Sequence, residues 1–296
     1  MQPFQIGVLG YVTMALGQRG GPLLRSVALG LMIVGVIVVV ICVALAIFIW
    51  RVQERVVFQP PAPPHADPRG ARRLDFHAAD GQPLFAWLVG TSLDHGVIIA
   101  FHGNADLAVW QLPWAEELAR RTGRAVLVAE FRGYGGLPGA PTYAGVQRDA
   151  QAVYALARDT LGVPSDRIVL YGHSLGSAIA TELAREVRPA ALLLVSPLTS
   201  VRAMASRVSP GAVIVFWAGL SRVHYDTEAF VRAFDVPVSI AHGARDDVIP
   251  LWMGKRVFEV ARMPRALLVI DDAGHNDVVD RGGERYWTWV RQALTP

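Results

Sequence analysis

The chain has 296 residues, of which 52% are hydrophobic and 18% are charged, and its formal net charge is +3 at pH 7. A single cysteine, Cys42, excludes disulfides and zinc–cysteine sites. The mild positive charge excludes a nucleic-acid-binding protein, because arginines such as Arg120 and Arg121 stand beside acids such as Glu117 and form no basic patch. The length fits either one large α/β domain with an additional segment or two small domains.

The most hydrophobic part of the chain runs from Val27 to Trp50, and Arg25 and Arg51 flank it. No charged residue interrupts it, and at roughly 1.5 Å rise per residue it exceeds the roughly 30 Å hydrocarbon core of a bilayer. We therefore predict a transmembrane helix over residues 26–50. A cleaved signal peptide is the alternative, but the run is longer than a signal core and no small-x-small cleavage site follows it.

The segments around this helix carry less information. Residues 1–25 are predicted as an N-terminal lead-in, and residues 51–70, with the prolines of 60–64, as a stiff linker. Arginines occur in similar numbers on both sides of the helix, so the positive-inside rule does not decide its orientation. The sequence predicts a single-pass membrane protein whose folded domain, residues 71–296, lies on an undetermined side.

From residue 71 the hydrophobic pattern alternates between strands and helices. Arg73–His77 and Leu84–Val89 flank Asp80-Gly81, which predicts a β-hairpin. Short apolar runs then predict strands that are covered on both faces: Val97–Phe101, Ala125–Ala129, Ile168–Tyr171, Ala191–Val195, Val236–Ala241 and Ala266–Ile270. Helical patterns lie between them: Trp114–Arg121, Gly145–Leu161, Ala178–Val187, Trp252–Ala261 and Glu284–Leu294. This order predicts an α/β fold with a mostly parallel central sheet and helices on both faces.

Residues 198–233 interrupt the alternation, and we predict a small cap-like insertion there. The segment contains an apolar run at 213–220 followed by a polar stretch. Two interpretations of the run stay open, a groove for an acyl chain and a cap helix that packs on the sheet. The residues concerned are Val213, Ile214, Val215, Phe216, Trp217 and Leu220.

The strongest chemical motif is Gly172-His173-Ser174-Leu175-Gly176, which directly follows a predicted strand and precedes a helix of small residues. This is the G-x-S-x-G pattern in the strand–turn–helix context that its mechanics require. The two glycines permit a tight turn that projects the serine hydroxyl from the sheet. The helix N-terminus behind it favours a developing negative charge. We predict Ser174 as the nucleophile.

A serine nucleophile needs a base to accept its proton, and the base needs an orienting acid. With a G-x-S-x-G motif the chain order is Ser, Asp, His. Asp246 follows the strand Val236–Ala241 in a G-x-x-D-x-x-I-P spacing, and we favour it over Asp247. His275, in the loop after the last strand, is the predicted base. Asp271 and Asp272 on that loop are alternative acids.

The predicted oxyanion hole combines two backbone N–H groups. One belongs to Leu175, which follows the nucleophile, and the other to Asn104, in the loop after strand Val97–Phe101. Gly103 allows the backbone to approach closely there. His102 is assigned a structural role, and no catalytic role is assigned to the other histidines outside the predicted positions: His65, His77, His95, His173, His224 and His242.

With these residues placed, the chain resembles the membrane-anchored α/β-hydrolase-domain proteins, which include eukaryotic protein depalmitoylases and their bacterial relatives. The matching landmarks occur in order along the chain: VFQP at 57–60, FHGNA at 101–105, FRGYG at 131–135, GHSLG at 172–176, SPLTS at 196–200, HGARDDVIP at 242–250 and GHND at 274–277. The resemblance implies the α/β-hydrolase fold and a catalytic triad of Ser174, Asp246 and His275. The chain departs from the depalmitoylases at its N-terminus, where it lacks their cysteine cluster.

These observations predict a membrane-anchored serine hydrolase that cleaves a carboxylic ester or thioester through an acyl-enzyme. The expected substrate is a small molecule or a lipid with an acyl chain, and no metal or organic cofactor is implied. One alternative is a serine peptidase of the same fold, which needs a recognition site for a peptide. Another is a non-catalytic, membrane-anchored interaction module, which a complete Ser, Asp and His set disfavours. The oligomeric state is not indicated.

Overall fold

The computed structural model describes residues 21–62, 68, 70–90, 92–208, 219 and 221–295. These residues form two compact units, which divide after Arg51. The predicted lead-in up to residue 20, His65 and the apolar run at 213–218 with Leu220 lie outside the described residues.

The first unit contains most of helix α1 (Pro22–Val57), which has 36 residues. The apolar side chains along it are exposed, as Leu31 and Val39 illustrate. Among the described helices, α1 is the one that is long and apolar enough to cross a membrane, judged by length and composition alone. Residues 51–57, predicted as the start of the linker, continue this helix.

An eight-stranded sheet forms the centre of the second unit, with the spatial order β1-β2-β4-β3-β5-β6-β7-β8. Its strands are β1 (Arg72–His77), β2 (Pro83–Val89), β3 (Val97–Phe101), β4 (Ala125–Ala129), β5 (Ile168–His173), β6 (Ala191–Val195), β7 (Val238–Gly243) and β8 (Pro264–Ile270). The β1–β2 and β2–β4 pairs are antiparallel, and all later neighbours are parallel. The predicted hairpin followed by a mostly parallel sheet is confirmed.

Helices cover both faces of this sheet. They are α2 (Leu112–Thr122), α3 (Tyr143–Ala155), α4 (Leu175–Val187), α5 (Val201–Val208), α6 (Thr227–Ala233), α7 (Leu251–Val260) and α8 (Val278–Leu294). Apolar side chains of α2 and α8 join the core on one face, and those of α3, α4, α6 and α7 join the core on the other. The central strands are buried along their whole length because each lies between two helical layers.

The ends of several elements differ from the predicted ends for local reasons. Strand β7 begins at Val238, two residues later than predicted, because Pro237 has no N–H to donate to the ladder. Helix α3 ends at Ala155, and a π-helical turn follows it. Helix α8 begins at Val278, earlier than the predicted Glu284, and contains a kink at Gly283 (φ 48°, ψ −128°).

Within the described residues of 198–233, the predicted insertion contains helices α5 and α6, which were not predicted. Helix α5 follows strand β6, and helix α6 packs against α4 and α7 with Val231 buried in the core. The α6 part of the segment therefore belongs to the helical layer that covers the sheet.

Candidate active site

Ser174 occupies the turn between β5 and α4, with φ 55° and ψ −120°. A positive φ is uncommon for serine and marks a sharp turn. The surrounding packing requires glycine on both sides of it. A Cβ atom at Gly172 would lie 2.3 Å from the carbonyl oxygen of Gly176, and one at Gly176 would lie 2.1 Å from that of Phe101. The G-x-S-x-G pattern therefore encodes the backbone of this turn.

His275 lies in the loop between β8 and α8, and each of its two ring nitrogens contacts one of the other predicted catalytic residues. Its Nε2 is 2.9 Å from Ser174 Oγ, 101 residues away in sequence. Its Nδ1 is 2.8 Å from Asp246 Oδ2, 29 residues away. The carboxylate can only accept, so Nδ1 donates and Nε2 is left to accept from the serine hydroxyl. This arrangement allows the imidazole to take the serine proton.

Asp246 is held as an ionised acceptor. Its Oδ1 accepts the backbone N–H groups of Val248 and Ile249 at 3.0 and 2.7 Å. Burial raises the pKa of Asp246, but hydrogen bonds from His242 and His275 outweigh it, so the pKa lies well below its usual range. The competing acids stand elsewhere: Asp247, Asp271 and Asp272 are exposed. The structure thus places Asp246, the favoured acid, against His275.

His242, at the end of β7, is a site residue that sequence reasoning missed. Its ring is fully buried, and Nε2 lies 2.8 Å from the carbonyl oxygen of Ile249 and 3.3 Å from Asp246 Oδ2. Helix α7 packs so closely on the ring that a Cβ at Gly254 would lie 2.2 Å from Nδ1. The sequence signal that could have identified His242 is its position at the end of a strand, four residues before the predicted acid.

The loop after β3 lies against the nucleophile turn. A Cβ at Gly103 would lie 3.4 Å from the Cβ of Ser174. The N–H of Asn104 takes no part in the loop and turn hydrogen bonds of the described residues, and neither does that of Leu175. Leu175 is the first residue of α4, where N–H groups have no partner within the helix. Both groups are available to an external acceptor.

A buried ion pair supports this loop. His102 Nε2 is 2.9 Å from Glu130 Oε1, and Nδ1 is 2.8 Å from the carbonyl oxygen of Gly103. Both partners are acceptors, so both ring nitrogens carry hydrogens and the ring is an imidazolium. Burial lowers the pKa of His102, but the charge and hydrogen bond of Glu130, the charge of Asp106 and the Gly103 carbonyl together outweigh burial and raise that pKa. The pair fixes the backbone directly before Asn104.

His173, next to the nucleophile, is held neutral. Its Nε2 lies 3.1 Å from the carbonyl oxygen of His275, and the two rings are 5.1 Å apart. Desolvation lowers the pKa of His173 to about 4, and the adjacent His275 ring adds to the effect. Neutral His173 donates to the loop that carries the predicted base.

This shift predicts a pH-dependent stability. Between the usual histidine pKa of about 6.5 and the folded value of about 4, the unfolded chain binds a proton on His173 that the folded chain does not. The wild type therefore loses stability as pH falls through this window. His173→Gln keeps a donor and removes the titration, so its Tm relative to wild type should rise from pH 7 to pH 4. An unchanged difference in thermal unfolding would contradict this.

A cavity of about 580 Å³ opens beside Ser174. It is lined by Gly103, Asn104, Ala105, Asp106, Gln111, Trp114, Tyr171, His173, Ser174, Val195, Val248, His275, Asn276, Val278, Val279 and Asp280. Trp114 and Tyr171 pack with their ring centroids 4.4 Å apart and their planes tilted by 36°, and together they form an aromatic wall. The formal charges in the lining, with histidines neutral, are those of Asp106 and Asp280, and it includes no lysine or arginine from the part of the chain that is described.

Comparisons with known proteins identify the family and the fold. A sequence model of the family described as serine aminopeptidase, S33, matches residues 94–228. The uncharacterized protein Rv2307c of Mycobacterium tuberculosis is 32% identical over 269 residues, which cover 88% of this chain and 93% of the relative. Lysophosphatidylserine lipase ABHD12 of Danio rerio is 30% identical over 193 residues, which cover 58% of this chain and 49% of the lipase.

Among solved structures, the esterase Pf2001 of Pyrococcus furiosus has the same fold. It matches with a TM-score of 0.63 at 19% identity, over 81% of this chain and 100% of the esterase chain. The fold, the extended sequence similarity and the family model lead to one assignment. The chain belongs to the α/β-hydrolase family, and the prediction of a hydrolase is confirmed.

Proposed function

We propose that the protein is a membrane-anchored serine hydrolase that cleaves a carboxylic ester or thioester, with Ser174, His275 and Asp246 as its catalytic triad. The observation that carries this proposal is the continuous hydrogen-bonded chain from Ser174 Oγ through His275 to Asp246. Ser174 also lines an open cavity, so a substrate carbonyl can reach it.

The reaction proceeds in two steps on these groups. His275 Nε2 takes the proton of Ser174 as Oγ attacks the carbonyl carbon, and the tetrahedral intermediate collapses to an acyl-enzyme. The alcohol or thiol leaves with the proton from His275. Water then attacks the acyl-enzyme, with His275 again accepting a proton and returning it to Ser174. Asp246 keeps Nδ1 protonated and stabilises the imidazolium in both steps.

The N–H groups of Asn104 and Leu175 are the proposed oxyanion hole. The loop that carries Asn104 lies against Ser174, Leu175 directly follows Ser174 in the chain, and neither N–H group is used in the loop and turn hydrogen bonds described above. Donors fixed in advance stabilise the negative charge that forms only as the serine attacks. Helix α4 adds its N-terminal dipole at the same point.

The cavity lining supports an apolar substrate without negative charge. Trp114, Tyr171 and Val195 offer apolar surface, and two carboxylates lie among the lining residues. A negatively charged group near Asp106 or Asp280 is repelled, because the described residues of the lining include no lysine or arginine to offset the repulsion. One relative is a lipase and one structural neighbour is an esterase, which supports an ester that carries an acyl chain as the substrate.

Helix α1 supports the proposed anchor. We place the membrane span at residues 26–50, the connecting segment at 51–70 and the hydrolase domain at 71–296, with Phe58 of the connecting segment packed in the core of that domain. The exposed apolar side chains of the helix, such as Ile37 and Phe48, are the surface that a bilayer would cover.

Acyl-chain esters test the substrate proposal. We expect turnover of p-nitrophenyl butyrate, and a lower kcat/KM for an ester of the same length that ends in a carboxylate. Asp280→Asn should lower the ratio of kcat/KM for the neutral ester to kcat/KM for the charged ester about fivefold, because removing one charge repulsion at short range is worth about 1 kcal/mol. Steady-state kinetics of the two esters on both proteins measure it. An equal kcat/KM for the two esters on the wild type would contradict the charge selection.

A second candidate is an aminopeptidase activity of the same triad. The observation that favours it is the pair of carboxylates in the cavity lining, Asp106 and Asp280, which could bind an α-ammonium group. Alanine p-nitroanilide in the same assay separates the candidates. Turnover of the anilide with a higher kcat/KM than butyrate would favour the peptidase, and turnover of neither would favour the interaction module.

A further inference from the structure

The side chain of Asn104 is held from two directions. Its carboxamide oxygen accepts the backbone N–H of Gln59 at 2.8 Å and the hydroxyl of Tyr134 at 2.9 Å. Gln59 lies 45 residues earlier and Tyr134 lies 30 residues later in the chain. The sequence landmarks at 57–60, 101–105 and 131–135 therefore meet at one oxygen atom, and the hydrolytic steps above use only the middle one.

The segment before Gln59 is built into the hydrolase core. Phe58 is only 2% exposed and packs in the core that contains α3 and α4. The carboxylate of Glu54 accepts the N–H of Tyr143 at 3.0 Å and lies 2.8 Å from the guanidinium of Arg222. These contacts fix the position from which Gln59 donates.

Tyr134 is an equally fixed donor. It is 1% exposed, and its ring packs edge-on against Phe131 and beside His102. Burial raises the pKa of Tyr134 above its usual value, so the hydroxyl keeps its proton. Phe131 and His102 also pack against each other, and His102 forms the ion pair with Glu130 that supports the loop carrying Asn104.

The backbone next to Asn104 needs such support. Ala105 has φ 51°, which is unfavourable for alanine and is stabilised only by its surroundings. Catalytic donors must be held close to their productive geometry by residues that are themselves fixed. A rotation of the peptide before Asn104 would move the N–H group that we propose as an oxyanion donor.

We propose that Gln59 and Tyr134 are positioning residues that hold the Asn104 N–H in the oxyanion hole. This rests on the proposed function of Ser174 and Asn104. The segment that directly follows the hydrophobic helix thereby affects kcat, although it does not touch the substrate.

Three variants of the full-length protein test this. Tyr134→Phe removes the hydroxyl, and Gln59→Pro removes the N–H, whereas Gln59→Ala keeps it. We expect kcat for p-nitrophenyl butyrate to fall about tenfold in Tyr134→Phe, less than the roughly 10²–10³-fold loss of a whole oxyanion donor, with KM little changed. The kcat of Gln59→Pro should be lower than the kcat of Gln59→Ala by a similar factor.

Two further measurements separate positioning from general stability. Affinity for a trifluoromethyl ketone, which binds as a tetrahedral oxyanion, should fall by the same factor as kcat. Tyr154→Phe is the matched control, because it also removes a buried tyrosine hydroxyl, bonded to Ser165 at 2.9 Å, on another part of the domain. Its kcat and ketone affinity should match the wild type.

The outcomes are distinct. Wild-type kcat and ketone affinity in Tyr134→Phe would overturn the positioning role, even if Gln59→Pro fails to fold. Fluorophosphonate labelling of the wild type but not of Ser174→Ala would show that the proposed function stands in that case. Equal fluorophosphonate labelling of the wild type and of Ser174→Ala would instead contradict the proposed function itself.

Discussion

Ser174→Ala is expected to lower kcat for ester hydrolysis by at least about 10⁴-fold, as serine nucleophile replacements do. The variant removes the one atom that forms the covalent bond and leaves the turn intact, because alanine retains the Cβ at the same φ of 55°. His275 then has no hydroxyl to deprotonate. Steady-state kinetics with p-nitrophenyl butyrate, corrected for the uncatalysed rate, measure the loss.

The control for this variant is Ser206→Ala. Ser206 lies on α5 and is exposed, and its hydroxyl donates to the carbonyl oxygen of Ala203 in the same helix at 2.8 Å. Its kcat should equal that of the wild type. If Ser174→Ala kept more than about 1% of wild-type kcat, far above the level left by loss of a nucleophile, another residue would have to carry the reaction.

Asp246→Asn is expected to lower kcat by about 10⁴-fold, the size of the effect of the same change in another serine triad. Donors surround the carboxylate on both oxygens: two backbone N–H groups on Oδ1, and His275 with His242 on Oδ2. The amide has one acceptor and one donor group. If its oxygen keeps the backbone N–H groups, its NH₂ faces His275 Nδ1, and the imidazole proton moves to Nε2. That tautomer cannot accept the serine proton.

Asp247→Asn provides the matched control one position away. Asp247 is exposed, so the same chemical change should leave kcat near the wild-type value. Thermal unfolding of both variants shows whether the loss comes from chemistry or from the fold. A larger loss in Asp247→Asn than in Asp246→Asn would mean that the acid has been assigned to the wrong residue.

Much of the sheet was predictable because its central strands are continuous apolar runs. The runs at 97–101, 125–129 and 191–195 are strands over the same residues, since burial on both faces leaves no polar position to blur their ends. Helices α5 and α6 were not predicted, because eight and seven residues give too little periodicity to recognise.

Some residues of the candidate site were also predictable from the sequence, and others were not. Ser174, Asp246 and His275 each follow a strand in the expected order, and parallel strands bring such residues to one edge of the sheet. The contacts of His242 with Asp246 and Ile249 are local, and the four-residue spacing to the acid was their only trace in the sequence. The convergence of Gln59 and Tyr134 on Asn104 was not predictable, because these long-range hydrogen bonds depend on loop conformation and leave no periodic trace in the sequence.

The most direct test of the nucleophile is covalent. A fluorophosphonate probe reacts with a serine that an adjacent base activates, and mass spectrometry of the digested protein identifies the modified residue. We predict a single adduct on the peptide that contains Ser174, and no labelling of Ser174→Ala. An adduct on a different serine, or equal labelling of the two proteins, would contradict the proposed mechanism.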